Sequence, residues 1–366
     1  MSLSSSIDQI TATAMAEGRI VGGAVQVSLG GEPVYRKSFG LADREAGTPT
    51  ALDTIYRLAS VTKPMVSLTA LALCDAGKLS LDDAVADHLP YFTPKYQGQT
   101  PTITIRHLLT HTAGLGYNYG GTGVAAGLRD ETIDFETNFT RLAGLELHFA
   151  PGTAWEYSVA IDVLGAVIAN VYGNTLEAAV HHYVTGPLGM ADTAFHVTDA
   201  GRLSVNYGNT PAGPERMGDS YTQRDEQGNE LIYSPSRAFN LMTFQSGGAG
   251  MVGTPDDLFT FFEEVRRGAP KLLKPETFRL AASPQTGAVD RVPGCKFSLF
   301  SDIIVDPKLA NTPESPGTLG WGGVYGHSWF VDRTRDLTVL MMSNTAPAGV
   351  NGPYVDAIRD AVYASL

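Results

Sequence analysis

The sequence reads as an α+β protein in which an antiparallel sheet flanked by helices is built from both ends of the chain and a mostly helical segment is inserted between them. Three observations predict this. Residues 24–29, Gly30-Gly31 and residues 33–39 carry the pattern of a β-hairpin. A second hairpin pattern spans 325–331, a polar turn at 332–336 and 337–343. Between them, from about residue 104 to 183, the pattern is mostly helical. Pairing the two hairpins in one sheet assigns 1–85 and 240–366 to an α/β domain and 86–239 to a helical domain.

In chain order, an amphipathic helix opens the sequence and the first hairpin follows. A long apolar helical run then begins at Ser60 and stops near Gly77, a residue suited to the left-handed turn that ends helices. Residues 79–89 suit a short helix or turn. The helical segment is interrupted by Gly-rich and aromatic loops such as 114–127, and after Ser246-Gly247-Gly248-Ala249-Gly250 a helix is expected over about 255–267. The second hairpin and a helix from about Tyr354 close the chain.

Composition narrows the function. The chain has 366 residues, 43% hydrophobic and 17% charged, enough for two lobes around a cleft. A net charge of −12 argues against nucleic acid or an anionic membrane as partner. Cys74 and Cys295 lack zinc-type spacing and read as reduced thiols. No basic start followed by an apolar stretch is visible, and no window reaches the roughly 20 apolar residues of a membrane span, so a cytoplasmic enzyme is expected.

The chemistry begins at Ser60-Val61-Thr62-Lys63-Pro64. A serine hydroxyl attacks a carbonyl carbon only when a neighbouring base takes its proton, and residues three apart on a helix share a face, so the Lys63 amine reaches the Ser60 oxygen. Pro64 is tolerated in a first helical turn, and Met65, Val66, Leu68, Ala72 and Leu73 supply an apolar stripe. By itself Ser-x-x-Lys is as compatible with an ordinary N-cap and a surface lysine. Two further segments add weight. Trp155-Glu156-Tyr157-Ser158 precedes an apolar helical run, and a phenol held beside a lysine ammonium acts as a base. In Leu319-Gly320-Trp321-Gly322-Gly323-Val324, the glycines suit close approach of a ligand to backbone, and the N–H groups of Val324 and Ser60 would form an oxyanion hole.

Together these segments resemble the serine β-lactamase and penicillin-binding-protein superfamily, most closely the family VIII carboxylesterases. The resemblance covers nearly the whole chain. It includes residues 40–47 and 57–64, His107-Leu108-Leu109-Thr110-His111-Thr112-Ala113-Gly114-Leu115, Pro151-Gly152, Tyr157-Ser158, Pro187-Leu188-Gly189-Met190 and residues 321–332. It implies a β-lactamase-like fold with the active site in the cleft between the two lobes. It also implies Ser60 as nucleophile, Lys63 and Tyr157 as the acid/base pair, and the Ser60 and Val324 backbone N–H groups as oxyanion hole.

Two departures shape the expected substrate. A class C β-lactamase has asparagine where Val159 stands and Lys-Thr-Gly where Trp321-Gly322-Gly323 stands. Losing both polar groups favours a small or medium neutral ester, with Trp321, Gly322 and Gly323 lining the pocket and Tyr117 and Tyr119 as further lining candidates. The reaction expected is a two-step acyl transfer to water with no cofactor and no metal. Acyltransferase, β-lactamase or D-amino-acid peptidase activity on the same acyl-enzyme is the alternative, and a binding protein on a catalytic scaffold a more distant one. His107 and His111 have the spacing of a metal pair but lack a third ligand, and read as structural, as do His181, His182 and His327. No Gly-x-Ser-x-Gly elbow is present.

Overall fold

A computed structural model describes residues 2–117, 124–129, 131–224 and 230–366. Both hairpins form, with strands Gly22–Leu29 and Glu32–Asp43 at one end and His327–Asp332 and Leu337–Ser343 at the other. They join through antiparallel pairing of Gly22–Leu29 with Leu337–Ser343, in which Val25 faces Met341 and Val27 faces Val339. This is the centre of an eight-stranded sheet. Its outer strands are Thr48–Pro49 on one side and Leu319–Gly323, Asp302–Ile304 and Cys295–Phe297 on the other.

The sheet has a different cover on each face. The helices Leu3–Ala16 and Pro353–Tyr363 pack together over one face, where Ile7, Val25, Val27, Val339, Met341 and Ile358 form a core. Over the other face lies Pro255–Arg266, whose Phe262 ring stacks on Trp329 at 4.2 Å. The larger core continues from there into the helical part, through Thr62–Asp75 and Ala160–Tyr172. Thr62–Asp75 is buried on every side as far as Leu73, so the apolar stripe expected for an amphipathic helix is here a fully buried helix. Its Thr69 hydroxyl donates back to the Met65 carbonyl at 2.9 Å, which lets a polar residue sit in the core.

Residues 207–233 depart from the helical reading of 86–239. Tyr207–Thr210 pairs with Gly213–Arg216, and Tyr221 faces Tyr233 in a second small hairpin. Gly, Thr and Tyr are abundant here, and short turns between strands suit them better than helix does. Tyr207 also pairs in parallel with Thr345, tying this segment to the C-terminal strands. Among the described residues no single helix is long and apolar enough to cross a membrane.

His327 is fully buried, and its Nε2 donates to the Arg57 carbonyl at 2.8 Å. Burial pushes its pKa down to about 4. Its ordinary value is near 6.5, so it is neutral in both states above that pH, while below it the unfolded chain takes up the proton first. Stability should therefore fall as pH drops from about 6.5 towards 4, with roughly 3 kcal/mol of that loss from this residue. Urea unfolding across that range should show a shallower decline for His327→Gln than for wild type. Equal pH slopes would contradict the assignment.

Candidate active site

The chain enters the Thr62–Asp75 helix through a 3-10 turn, Ala59–Val61, in which Ala59 takes the left-handed conformation at φ 45°. That turn leaves Ser60 partly exposed on a cavity of about 350 Å³, whose walls include Tyr157, Trp321, Gly322 and Val324. Lys63 is 3% exposed. Its Nζ donates to Ser60 Oγ at 3.2 Å, to the Tyr117 hydroxyl at 3.1 Å and to the Gly248 carbonyl at 2.7 Å. An ammonium has three N–H donors, and all three are used.

Burying that cation requires negative partners nearby, since an unpaired charge in the core is strongly destabilising. Asp162 supplies the negative charge from the first turn of Ala160–Tyr172. It is 1% exposed, accepts from the Ser246 hydroxyl and takes the Gly248 N–H at 3.1 Å. Burial raises its pKa, and the Lys63 charge opposes that rise. Asp162 thereby holds the 246–250 loop so that the Gly248 carbonyl points at Lys63. Gly248 has to be glycine, because a Cβ there would collide with the Asp162 carboxylate.

Tyr157 lies on the opposite side of Lys63, with Nζ 4.6 Å from its ring centre. Its hydroxyl accepts from Trp321 Nε1 at 3.2 Å. The ring is enclosed by Tyr117 at 5.4 Å, Trp321 at 5.0 Å and His111 at 4.9 Å between centres. His111 bonds Ser158 Oγ at 3.2 Å, and burial, aided by the Lys63 charge, pushes its pKa down, so it is a neutral packing partner. His107 caps its own helix: its N–H donates to Thr104 Oγ1 while its Nδ1 accepts the Thr104 N–H.

The strand Leu319–Gly323 is locked to the segment carrying Ser60. A Cβ on Gly323 would run into the Leu58 carbonyl, and His327, which faces Gly323 on the neighbouring strand His327–Asp332, adds a second tie through its bond to the Arg57 carbonyl. Val324 follows directly and faces the same cavity as Ser60.

The structure thus brings Ser60, Lys63, Tyr157, Trp321, Gly322 and Val324 to one place, with only the Ser60–Lys63 contact following from their spacing. Gly323 is not a lining residue, because it is buried against Leu58 and Val61. Tyr117 is placed differently from the pocket wall expected of it. Its ring is 36% exposed, yet its hydroxyl is turned to Lys63, and burial of that end together with the nearby Tyr157 raises its pKa. Tyr119 lies outside the described residues. Asp162 and the Gly248 carbonyl escaped sequence reasoning. Nothing in a lone aspartate at a helix start marks it, although the Gly-rich run 246–250 was a signal of close backbone approach.

A protein-family model described as Beta-lactamase matches residues 7–363. Esterase EstB of Burkholderia gladioli is 45% identical over 377 residues, covering 99% of this chain and 96% of that protein. Acyltransferase calJ of Penicillium decumbens is 27% identical, covering 89% and 84% respectively. Among solved structures, EstCE1, a hydrolase with promiscuous acyltransferase activity, superposes with TM-score 0.95 at 40% identity over 99% of this chain and 98% of that one. Unliganded simvastatin synthase of Aspergillus terreus shares the fold, with TM-score 0.77 at 21% identity over 98% and 97%.

If the Asp162–Gly248 contact positions Lys63, Gly248→Ala should slow labelling of Ser60 by a fluorophosphonate probe by about tenfold or more, equivalent to roughly 1.4 kcal/mol in the barrier. The same variant should keep a cooperative thermal transition. Unchanged labelling would show that the carbonyl does not matter to the serine.

Proposed function

This chain belongs to the beta-lactamase family, and on that premise we propose that it is a serine carboxylesterase hydrolysing short- to medium-chain neutral esters through an acyl-enzyme on Ser60. The observation that carries the reading is the 3.2 Å contact between Lys63 Nζ and Ser60 Oγ, in a cleft walled by Trp321. Similarity to Esterase EstB and EstCE1 over nearly the whole length of each supports it.

The chemistry proceeds in two steps. Lys63, donating in three directions, acts as an ammonium that orients the Ser60 oxygen and favours negative charge on it. Ser60 attacks the ester carbonyl while Tyr157, acting as the base beside the Lys63 ammonium, takes the serine proton; the tetrahedral intermediate then collapses, the ester C–O bond breaks, and Tyr157 hands the proton to the departing alcohol. The N–H groups of Ser60 and Val324 receive the oxyanion of the tetrahedral intermediate. Water then attacks the acyl-enzyme, with Tyr157 taking its proton and returning it to Ser60 as the acyl–oxygen bond to the serine breaks. Every step is acyl transfer, so the residues named are sufficient for it.

Acyl transfer to another alcohol or to an amine is the second reading, favoured by similarity to EstCE1, a hydrolase with promiscuous acyltransferase activity. A β-lactamase or D-amino-acid peptidase role is less well supported, because the apolar Val159, 1% exposed, and Trp321 replace the polar groups expected to hold an amide and a carboxylate. Free thiols at Cys74 and Cys295 suit a reducing, cytoplasmic setting. The partner is a small-molecule ester, with no nucleic acid or membrane.

Steady-state hydrolysis of p-nitrophenyl acetate, butyrate and octanoate, with nitrocefin in parallel, tests this. Ester turnover should fall by roughly a thousandfold or more in Ser60→Ala, and nitrocefin should be the poorer substrate. Trp321→Ala should raise KM more for octanoate than for acetate. Ester turnover that survives Ser60→Ala would overturn the nucleophile, and dominant nitrocefin turnover would favour the β-lactamase reading.

A further inference from the structure

We propose that Arg291 and Asp302 form a subsite in the Ser60 cleft that takes a second carbonyl oxygen of the substrate, so that neutral esters bearing a further carbonyl are preferred over plain alkyl esters. This rests on the esterase reading and names the substrate class within it.

Arg291 and Asp302 line the same cavity as Ser60 and Tyr157. The guanidinium lies 4.9 Å from the Trp321 ring centre and 5.7 Å from that of Trp155. Trp321 is also pinned through Nε1 to the Tyr157 hydroxyl, so one indole touches both the proposed base and the Arg291 guanidinium. A guanidinium carries five N–H donors. The one side-chain hydrogen bond of Arg291 among the described residues is from its NH1 to Asp302 Oδ2, at 3.1 Å. The group is thus held by stacking and a single ion pair, with donors left over in the cavity that Ser60 lines.

The charge balance selects a neutral acceptor. Asp302 offsets the Arg291 charge, and Glu314 lines the cavity as well. Arg359, the other cation lining it, is engaged by Asp356 at 3.0 Å and Asp360 at 2.9 Å. A carboxylate entering here meets two acids, whereas a ketone or second ester oxygen meets only the spare donors. Burial moves the Asp302 pKa up to about 6, so the pair is still charged and balanced at neutral pH.

The test uses matched substrates at pH 7.5 with the full-length enzyme. On the acyl side, p-nitrophenyl 4-oxopentanoate is compared with p-nitrophenyl pentanoate; on the alcohol side, 4-oxopentyl acetate with pentyl acetate. At least one pair should show a keto preference of about ten- to a hundredfold in kcat/KM, the worth of a hydrogen bond to a charged donor. Arg291→Met, which keeps an apolar stem against Trp321, should bring that ratio near one. Asp302→Asn, which leaves the cation unbalanced, should raise the mono-p-nitrophenyl succinate to pentanoate ratio several-fold. Flat ratios in the wild type, a keto preference unchanged in Arg291→Met, or a succinate ratio unmoved in Asp302→Asn would each overturn the subsite. The esterase reading fails separately, if Ser60→Ala still hydrolyses p-nitrophenyl pentanoate at the wild-type rate.

Discussion

A lysine ammonium held almost entirely out of water is the constraint on which the rest of this site depends. Lys63 lies within a helix whose other side chains are packed on all sides, where an uncompensated charge costs several kcal/mol. Its surroundings answer that cost in layers. Ser60, Tyr117 and the Gly248 carbonyl take its three protons, and Asp162 supplies the opposite charge while fixing the loop that presents the carbonyl. The nucleophile is ordered as a by-product, since the Ser60 oxygen is one of the acceptors the cation needs.

The aromatic layer has a related logic. Tyr157 is held by the rings of His111, Tyr117, Trp155 and Trp321 and by the Trp321 indole N–H, so its hydroxyl has little freedom to leave the cleft. The residue that walls the pocket therefore also steers the proposed base, and in this chain selectivity and reactivity are linked through one side chain. A polar residue at 321 that reaches a substrate carboxylate would free the phenol from that indole contact.

Much of this was legible in the sequence. The paired hairpins at the two ends of the chain follow from alternation and turn residues, which are local properties, and the three-residue spacing of Ser60 and Lys63 translates directly into contact on a helix. What was not legible depends on residues far apart in sequence. Asp162 meets Ser246 and Gly248 across more than 80 residues, and no local pattern distinguishes it from an ordinary aspartate near a helix start. Tyr117 looked like a pocket residue because it sits in an aromatic loop, yet the direction of its hydroxyl is set by Lys63, 54 positions away. The small hairpins at 207–233 were missed because each pairs within itself, the first adding only a short pairing with Thr345, and neither belongs to the main sheet.

The double tie between the strand pair Leu319–Gly323 and His327–Asp332 and the segment carrying Ser60 separates two parts of the proposed catalysis mechanically. Gly323 packed on Leu58, and His327 bonded to Arg57, make the two proposed oxyanion donors move as one piece. Tyr157 arrives from a different part of the chain and touches that piece through Trp321 and Lys63. Any relative movement of those two parts would then leave the pair of oxyanion donors intact and change the proton path first, so in the proposed reaction the geometry of alcohol departure is the more easily altered of the two.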